Sequence, residues 1–218
     1  NINVRHIMLE FLEIGACSCV DDVIPGDVDG DVYLTILDIV TLASCVLNAS
    51  CADLENVCAA DMNGDGGYNV MDIVALAICV LNGGVCPDGG GRVDDASKSQ
   101  LIIEDNIVSI KADGFIGGVQ MTLTHSDDFT IDMTDRALFT NYLTNGNEET
   151  RLLVITPETD KLFSYNGNFE ITEIIVANTQ HEISVDLPIT SEISLSDAYP
   201  NPFNPTTTMT LTMSVSGN

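Results

Sequence analysis

"DVDGDVYLTILDIVTLASCVLN" (27–48) places four carboxylates in its first twelve residues, directly ahead of an apolar run. Carboxylates that close repel one another, so an uncompensated cluster resists folding. A shift of 34 residues brings the stretch back as "DMNGDGGYNVMDIVALAICVLN" (61–82), identical at twelve of twenty-two positions. The identities include Asp27/Asp61, Gly30/Gly64, Asp31/Asp65, Asp38/Asp72 and Cys45/Cys79. A repeat of this kind is two copies of one supersecondary unit.

Each copy offers oxygen donors at loop positions 1, 3, 5, 9 and 12: Asp27, Asp29, Asp31, Thr35 and Asp38, then Asp61, Asn63, Asp65, Asn69 and Asp72. Position 7 adds a backbone carbonyl, from Tyr33 and from Gly67. That spacing wraps a hard cation, and six or seven protein oxygens suit calcium better than magnesium. Two Ca2+ sites are therefore expected, and the ions explain why the carboxylates are tolerated. Asp/Asn/Gly clusters also make simple turns, but two copies in one register, each leading into an apolar helix, favour the ion. Loop 1 carries Val32 at position 6, where loop 2 has Gly66 and a sharp turn is needed. Weaker binding or altered geometry is expected of loop 1, and Asp in place of Glu at position 12 reaches less far in both.

Ile39, Leu42, Ala43, Val46 and Leu47 recur at helical spacing, as do Ile73, Leu76, Ala77, Val80 and Leu81. Asp38 and Asp72 fall at the helix N-termini, where negative charge is favourable. "NGG" (82–84) reads as a helix stop. Over about residues 22–84 these paired loops, of the form D-x-[DN]-G-D-x-x-x-[NT]-x-x-D-[IV]-V with helices ending in "VLN", resemble a dockerin module. The resemblance implies a calcium-ordered unit that docks into cohesin domains through its helices. It places Ile39, Val40, Ile73 and Val74 near the docking surface, although core packing competes for the same residues.

All seven cysteines lie in the first 86 residues, with no C-x-x-C among them. Disulfides formed in an oxidising compartment are expected, with one thiol of the odd number left free or used between chains. The pairing stays open. Cys45 and Cys79 are repeat-equivalent on helices expected to run antiparallel. Cys51 and Cys58 are placed to close the connecting loop, leaving Cys86 for Cys17 or Cys19.

A formal net charge of -26 argues against nucleic acid and anionic membrane surfaces, which need basic patches. A hydrophobic content of 45% is too high for a disordered acidic tail. No apolar run is long enough to span a membrane. The start, "NINVRHIMLEFLEIGACSC", lacks the pattern of a signal peptide, so an exported chain is expected to be numbered from after processing.

Beyond the Gly-rich joint the apolar period changes to two. Strands are expected at "QLIIED", "IVSIKAD", "GVQMTLTH", "FTIDM", "RLLVITP", "KLFSYN", "FEITEIIVAN" and "EISVDLP", forming an antiparallel β-sandwich. "GFIGGVQMTLTHSDDFTI" (114–131) resembles the early strands of a cohesin-like domain. "LSDAYPNPFNPTTTMTLTMSVSGN" (195–218) resembles the opening of the C-terminal sorting domain of type IX secretion substrates, which implies a bacterial extracellular or cell-surface protein. Met209, Leu211, Met213 and Val215 alternate with polar residues. The strand running from Thr206 to Ser216 belongs either to the chain's own sandwich or to a neighbour's by donation.

The expected organisation is a multidomain α+β chain: an N-terminal segment (1–21), a small all-α paired calcium-loop module (22–86), a linker (87–98), the sandwich (99–190) and an extended tail (191–218). No G-x-S-x-G, Walker, H-E-x-x-H or dinucleotide motif is present, and His6, His125 and His181 are scattered. A non-enzymatic secreted protein is expected. One reading has copies of the chain associating head-to-tail into a calcium-stabilised filament. The alternative is a dockerin-type adaptor, expected to be the C-terminal part of a larger secreted enzyme or adhesin, that anchors it to a surface scaffold through a cohesin-bearing protein.

Overall fold

Capping boxes start both repeat helices. In the computed structural model, which describes residues 23–87, 91–146, 148–188, 193–195 and 211–213, helix α1 spans Ile36–Asn48. Thr35 caps it, accepting the Leu37 N–H at 3.1 Å, while Asp38 accepts the Thr35 N–H at 2.8 Å. A 3-10 turn (Cys51–Asp53) and a one-turn helix α2 (Val57–Ala60) lead to α3 (Val70–Leu81). There Asn69 and Asp72 repeat the same reciprocal cap. Each box satisfies N-terminal donors that the helix itself cannot.

Both helices also stop alike. Ala49 (φ 50°) and Gly83 (φ 74°) turn left-handed. The N–H of the following residue then reaches back, Ser50 to the Cys45 carbonyl at 3.0 Å and Gly84 to the Cys79 carbonyl at 2.9 Å. This is the Schellman arrangement, and it folds the chain back over the last helical turn.

That fold-back decides the disulfides. Cys45 pairs with Cys51 and Cys79 with Cys86, across Cα separations of 4.6 and 4.3 Å. Each bridge staples a helix to the segment just past its own stop. The Cys45–Cys79 and Cys51–Cys58 pairings, and the tie from Cys86 to the N-terminal segment, are therefore replaced by two repeat-equivalent local bridges. Cys58 is also disulfide-bonded; Cys17 and Cys19 lie outside the described residues.

The strands are β1 (Lys98–Glu104), β2 (Ile107–Ala112), β3 (Gly118–His125), β4 (Thr130–Met133), β5 (Ala137–Asn145), β6 (Glu149–Pro157), β7 (Lys161–Asn166), β8 (Phe169–Ala177) and β9 (Ser184–Asp186). They form two sheets, ordered β4-β7-β2-β1-β9 and β5-β6-β3-β8. All pairings within these sheets are antiparallel except β1 with β9, which is parallel. Leu101, Val108 and Ile110 from one sheet meet Val119, Met121, Leu123, Leu152 and Val154 from the other to form the sandwich core.

Strand β5 was not expected from the sequence. Its "ALFTNYLTN" is too polar and too irregular to read as alternating, because it is an edge strand. Its Leu138, Phe139 and Leu143 pack against the buried cluster that this sheet shares with the helices.

The helices sit on the outer face of the β5-β6-β3-β8 sheet. Leu153, Ile155 and Ala177 join Ile39, Leu42, Ile73 and Leu76 in one buried cluster. Strand β6 is consequently buried on both faces from Leu152 to Ile155, which explains its unbroken apolar run "LLVI".

Two short strands, β10 (Ile193–Leu195) and β11 (Leu211–Met213), pair antiparallel with each other. Within the chain, Leu211–Met213 thus pair with β10 and join neither sheet of the sandwich. The rest of the segment beginning at Thr206 lies outside the described residues.

Candidate calcium-binding and docking site

The two acidic loops turn left-handed at the same two positions. Gly30 (φ 79°) and Gly64 (φ 72°) occupy position 4, Val32 (φ 75°) and Gly66 (φ 81°) position 6. The Val32 N–H donates to Asp27 at 3.1 Å and the Gly66 N–H to Asp61 at 3.0 Å. Position 6 of loop 1 thus takes the same left-handed turn as loop 2 despite its side chain. The loops differ at position 1: the Gly64 N–H donates to Asp61 Oδ1 at 2.9 Å, whereas Asp27 Oδ1 stays without a donor among the described residues. Val32 is held in a left-handed conformation that is a genuine outlier for a β-branched side chain.

Because the strain is local and Val32 is exposed, Val32→Gly removes it without leaving a cavity. A left-handed residue with a Cβ costs about 1–2 kcal/mol, partly offset by the greater freedom glycine has in the unfolded chain. The expected net result is about 1 kcal/mol of added stability together with tighter calcium uptake at loop 1. Thermal unfolding and calorimetry check it; an unchanged or lowered midpoint contradicts the strain.

Position 12 is the hub of each loop. Asp38 is fully buried and accepts the N–H groups of Val28 (2.9 Å), Asp29 (3.2 Å) and Thr35 (2.8 Å). Asp72 does the same for Met62 (2.9 Å), Asn63 (3.3 Å) and Asn69 (3.0 Å). One side chain thus closes the loop and caps the helix, so the ligand set and the fold are built from the same bonds.

In loop 1, oxygens of Asp27, Asp29 and Asp38 lie within 4.8 Å of one another. Asp27 Oδ1 is buried and, among the described residues, has no hydrogen-bond partner. A buried carboxylate oxygen left without a donor is costly, and a cation seated among the three carboxylates satisfies it. These residues therefore fit calcium. Asp31 and Tyr33 are exposed and Thr35 half-buried, all on the same loop. The Asp29 carboxyl is pushed above its usual range, first by desolvation and then by Asp38, Asp31 and Asp27.

Loop 2 offers a milder set. Asn63 and Asn69 replace two of the charged or hydroxyl donors, and Asn63 donates to Asp65 at 2.8 Å while Asp65 accepts the Gly67 N–H at 2.7 Å. Burial pushes the Asp72 carboxyl up to about 6, against the lowering pull of its three backbone donors.

A carboxyl raised in the folded state favours folding while protonated. In chelator, this contribution is complete below about pH 4 and is lost as pH rises through 6, a change of roughly 3 kcal/mol. Calcium favours the carboxylate and reverses the trend. The melting point of the chelated protein is expected to fall between pH 4 and 7, and less so in Asp72→Asn. Equal slopes in the two proteins contradict the assignment.

Residues 25–78 match the family model of the dockerin type I domain. A non-cellulosomal cohesin from the hyperthermophilic archaeon Archaeoglobus fulgidus is similar in structure at 14% identity, over 43% of this chain and 82% of that one, with a TM-score of 0.26. No curated protein matches the chain.

The helices present unequal faces. Ile36, Leu37 and Val40 of α1 are exposed, whereas their repeat equivalents in α3 are Val70 and Val74, both buried, and the half-buried Met71. Of the residues placed near a docking surface, Ile39 and Ile73 are core, Val74 faces the sandwich and Val40 alone is open. Gly117, Gly118 and Gln120, which receive α3, carry no sequence signal of that role.

Proposed function

We propose that the chain is a calcium-ordered, non-catalytic adaptor of a secreted protein, whose dockerin-type module docks onto a partner's cohesin-type β-sandwich. The match of residues 25–78 to the dockerin type I domain carries this reading. The loop 1 carboxylates and the orphaned Asp27 oxygen support a calcium requirement, and loop 2 supplies the second site. The open apolar patch of Ile36, Leu37 and Val40, extended by Val32 and Tyr33, is the docking face.

The disulfides support an oxidising, extracellular setting. Among the described residues no helix is long and apolar enough to cross a membrane. Export by a bacterial type IX route rests on the sequence of residues 195–218 alone. Head-to-tail filament formation draws less support than the adaptor: the helices pack on the chain's own β5-β6-β3-β8 sheet, and β11 is paired in cis.

A panel of purified cohesin domains tests the reading, with binding followed by surface plasmon resonance in calcium and in chelator. Binding that needs calcium and is lost in Val40→Asp is expected. Failure of every cohesin to bind, or binding untouched by both chelator and Val40→Asp, overturns it.

A further inference from the structure

The two repeats carry nearly the same helix face into opposite environments. Val40 and Val74 are the same residue at equivalent positions, yet one is 43% exposed and the other 3%. Val70, fully buried, answers to Ile36 at 47%.

What covers the second face is a shaped seat at the start of β3. A Cβ on Gly117 would lie 2.5 Å from Val74 Cγ1, and one on Gly118 would lie 2.6 Å from Val70 Cγ2. Only glycine lets the helix approach the strand backbone that closely. The Val70 N–H, one of the donors that a helix N-terminus leaves unpaired, donates to Gln120 Oε1 at 3.0 Å. Two valine knobs, two glycine gaps and one cap define a fitted contact rather than a chance one.

Loop 2 controls the same helical turn. Asn69, at position 9, is the N-cap immediately before Val70 and accepts the Met71 N–H at 2.7 Å. Asp72, at position 12, accepts the Asn69 N–H and lies between Val70 and Val74 in sequence. Any cation held by loop 2 therefore fixes the turn that fills the seat.

We infer that repeat 2 is an intramolecular anchor, seating the module on its own sandwich at Gly117, Gly118 and Gln120, and that calcium in loop 2 locks that seat. The anchored repeat is withheld from outside partners and repeat 1 is left as the open face. Loss of calcium frees α3 from the seat. The inference rests on the calcium reading of the loops but on no external partner.

The test uses the full chain, with hydrogen exchange of the Val70 amide followed by NMR and overall size by small-angle X-ray scattering. In calcium, Val70 is expected to be protected and the particle compact. Chelator and Asp72→Ala are each expected to raise Val70 exchange at least tenfold and to expand the particle. Val74→Asp is expected to do so even in calcium, while Val40→Asp changes neither readout. A compact particle with protected Val70 in Val74→Asp overturns the anchor. Calcium uptake confirmed by calorimetry, with Val70 protection unchanged on chelation, overturns the lock alone. No calcium uptake at all overturns the reading of the loops and the lock with it.

Discussion

Asp38→Ala is expected to destabilise the protein by about 3–5 kcal/mol and to weaken calcium uptake at loop 1 by well over an order of magnitude. The carboxylate is fully buried and takes three backbone N–H groups, from Val28, Asp29 and Thr35. Removing it leaves those donors without an acceptor, and hydrogen bonds to a charged group contribute about 1.5–3 kcal/mol each before any compensation. It also deletes half of the α1 capping box, which by itself contributes about 1 kcal/mol. Urea unfolding in chelator measures the structural part, and calcium calorimetry measures the rest. A variant within 1 kcal/mol of the parent in chelator contradicts the hub role of position 12.

The second large effect concerns the staples. Replacing Cys45 and Cys51 together by serine is expected to cost about 2–3 kcal/mol, the chain-entropy value for so short a closed loop. Replacing Cys79 and Cys86 is expected to cost about the same, because the bridges span separations of 6 and 7 residues at equivalent helix ends. Denaturant unfolding of the two double variants reads both values. A loss below about 0.5 kcal/mol in either would show that the left-handed stops alone hold the helix ends.

These bridges mark where sequence reasoning reached its limit. Repeat equivalence pointed to Cys45 and Cys79 as a pair across two helices, whereas each instead bonds past its own helix stop. The deciding feature was the turn at Ala49, and alanine gives no sign of a left-handed conformation. At Gly83 the sign was present, and that stop was legible. The loops were legible for a physical reason: ligand spacing, capping and helix start are coupled in one twelve-residue pattern, and the pattern occurs twice.

The sandwich was readable where one face of a strand is wet and the other dry, as in β1, where Ser99 and Leu101 are buried and Lys98 and Gln100 exposed. It was hidden in β5, a polar edge strand whose apolar residues pack against the cluster shared with the helices. The seat of α3 on β3 was hidden too. Glycines at 117 and 118 acquire meaning only when Val70 and Val74 stand above them, a relation between segments far apart in sequence. Likewise, nothing in the repeat itself distinguishes the exposed Val40 from the buried Val74.

Calorimetric titration of the chelator-stripped full chain with calcium at pH 7.5 tests the central claim most directly. The account predicts saturable binding at two sites, with Asp38→Ala and Asp72→Ala each removing a different one. Affinities are expected near those of extracellular modules, about 10⁻⁴–10⁻³ M. A flat titration through about 10 mM calcium, well beyond that range, would contradict it.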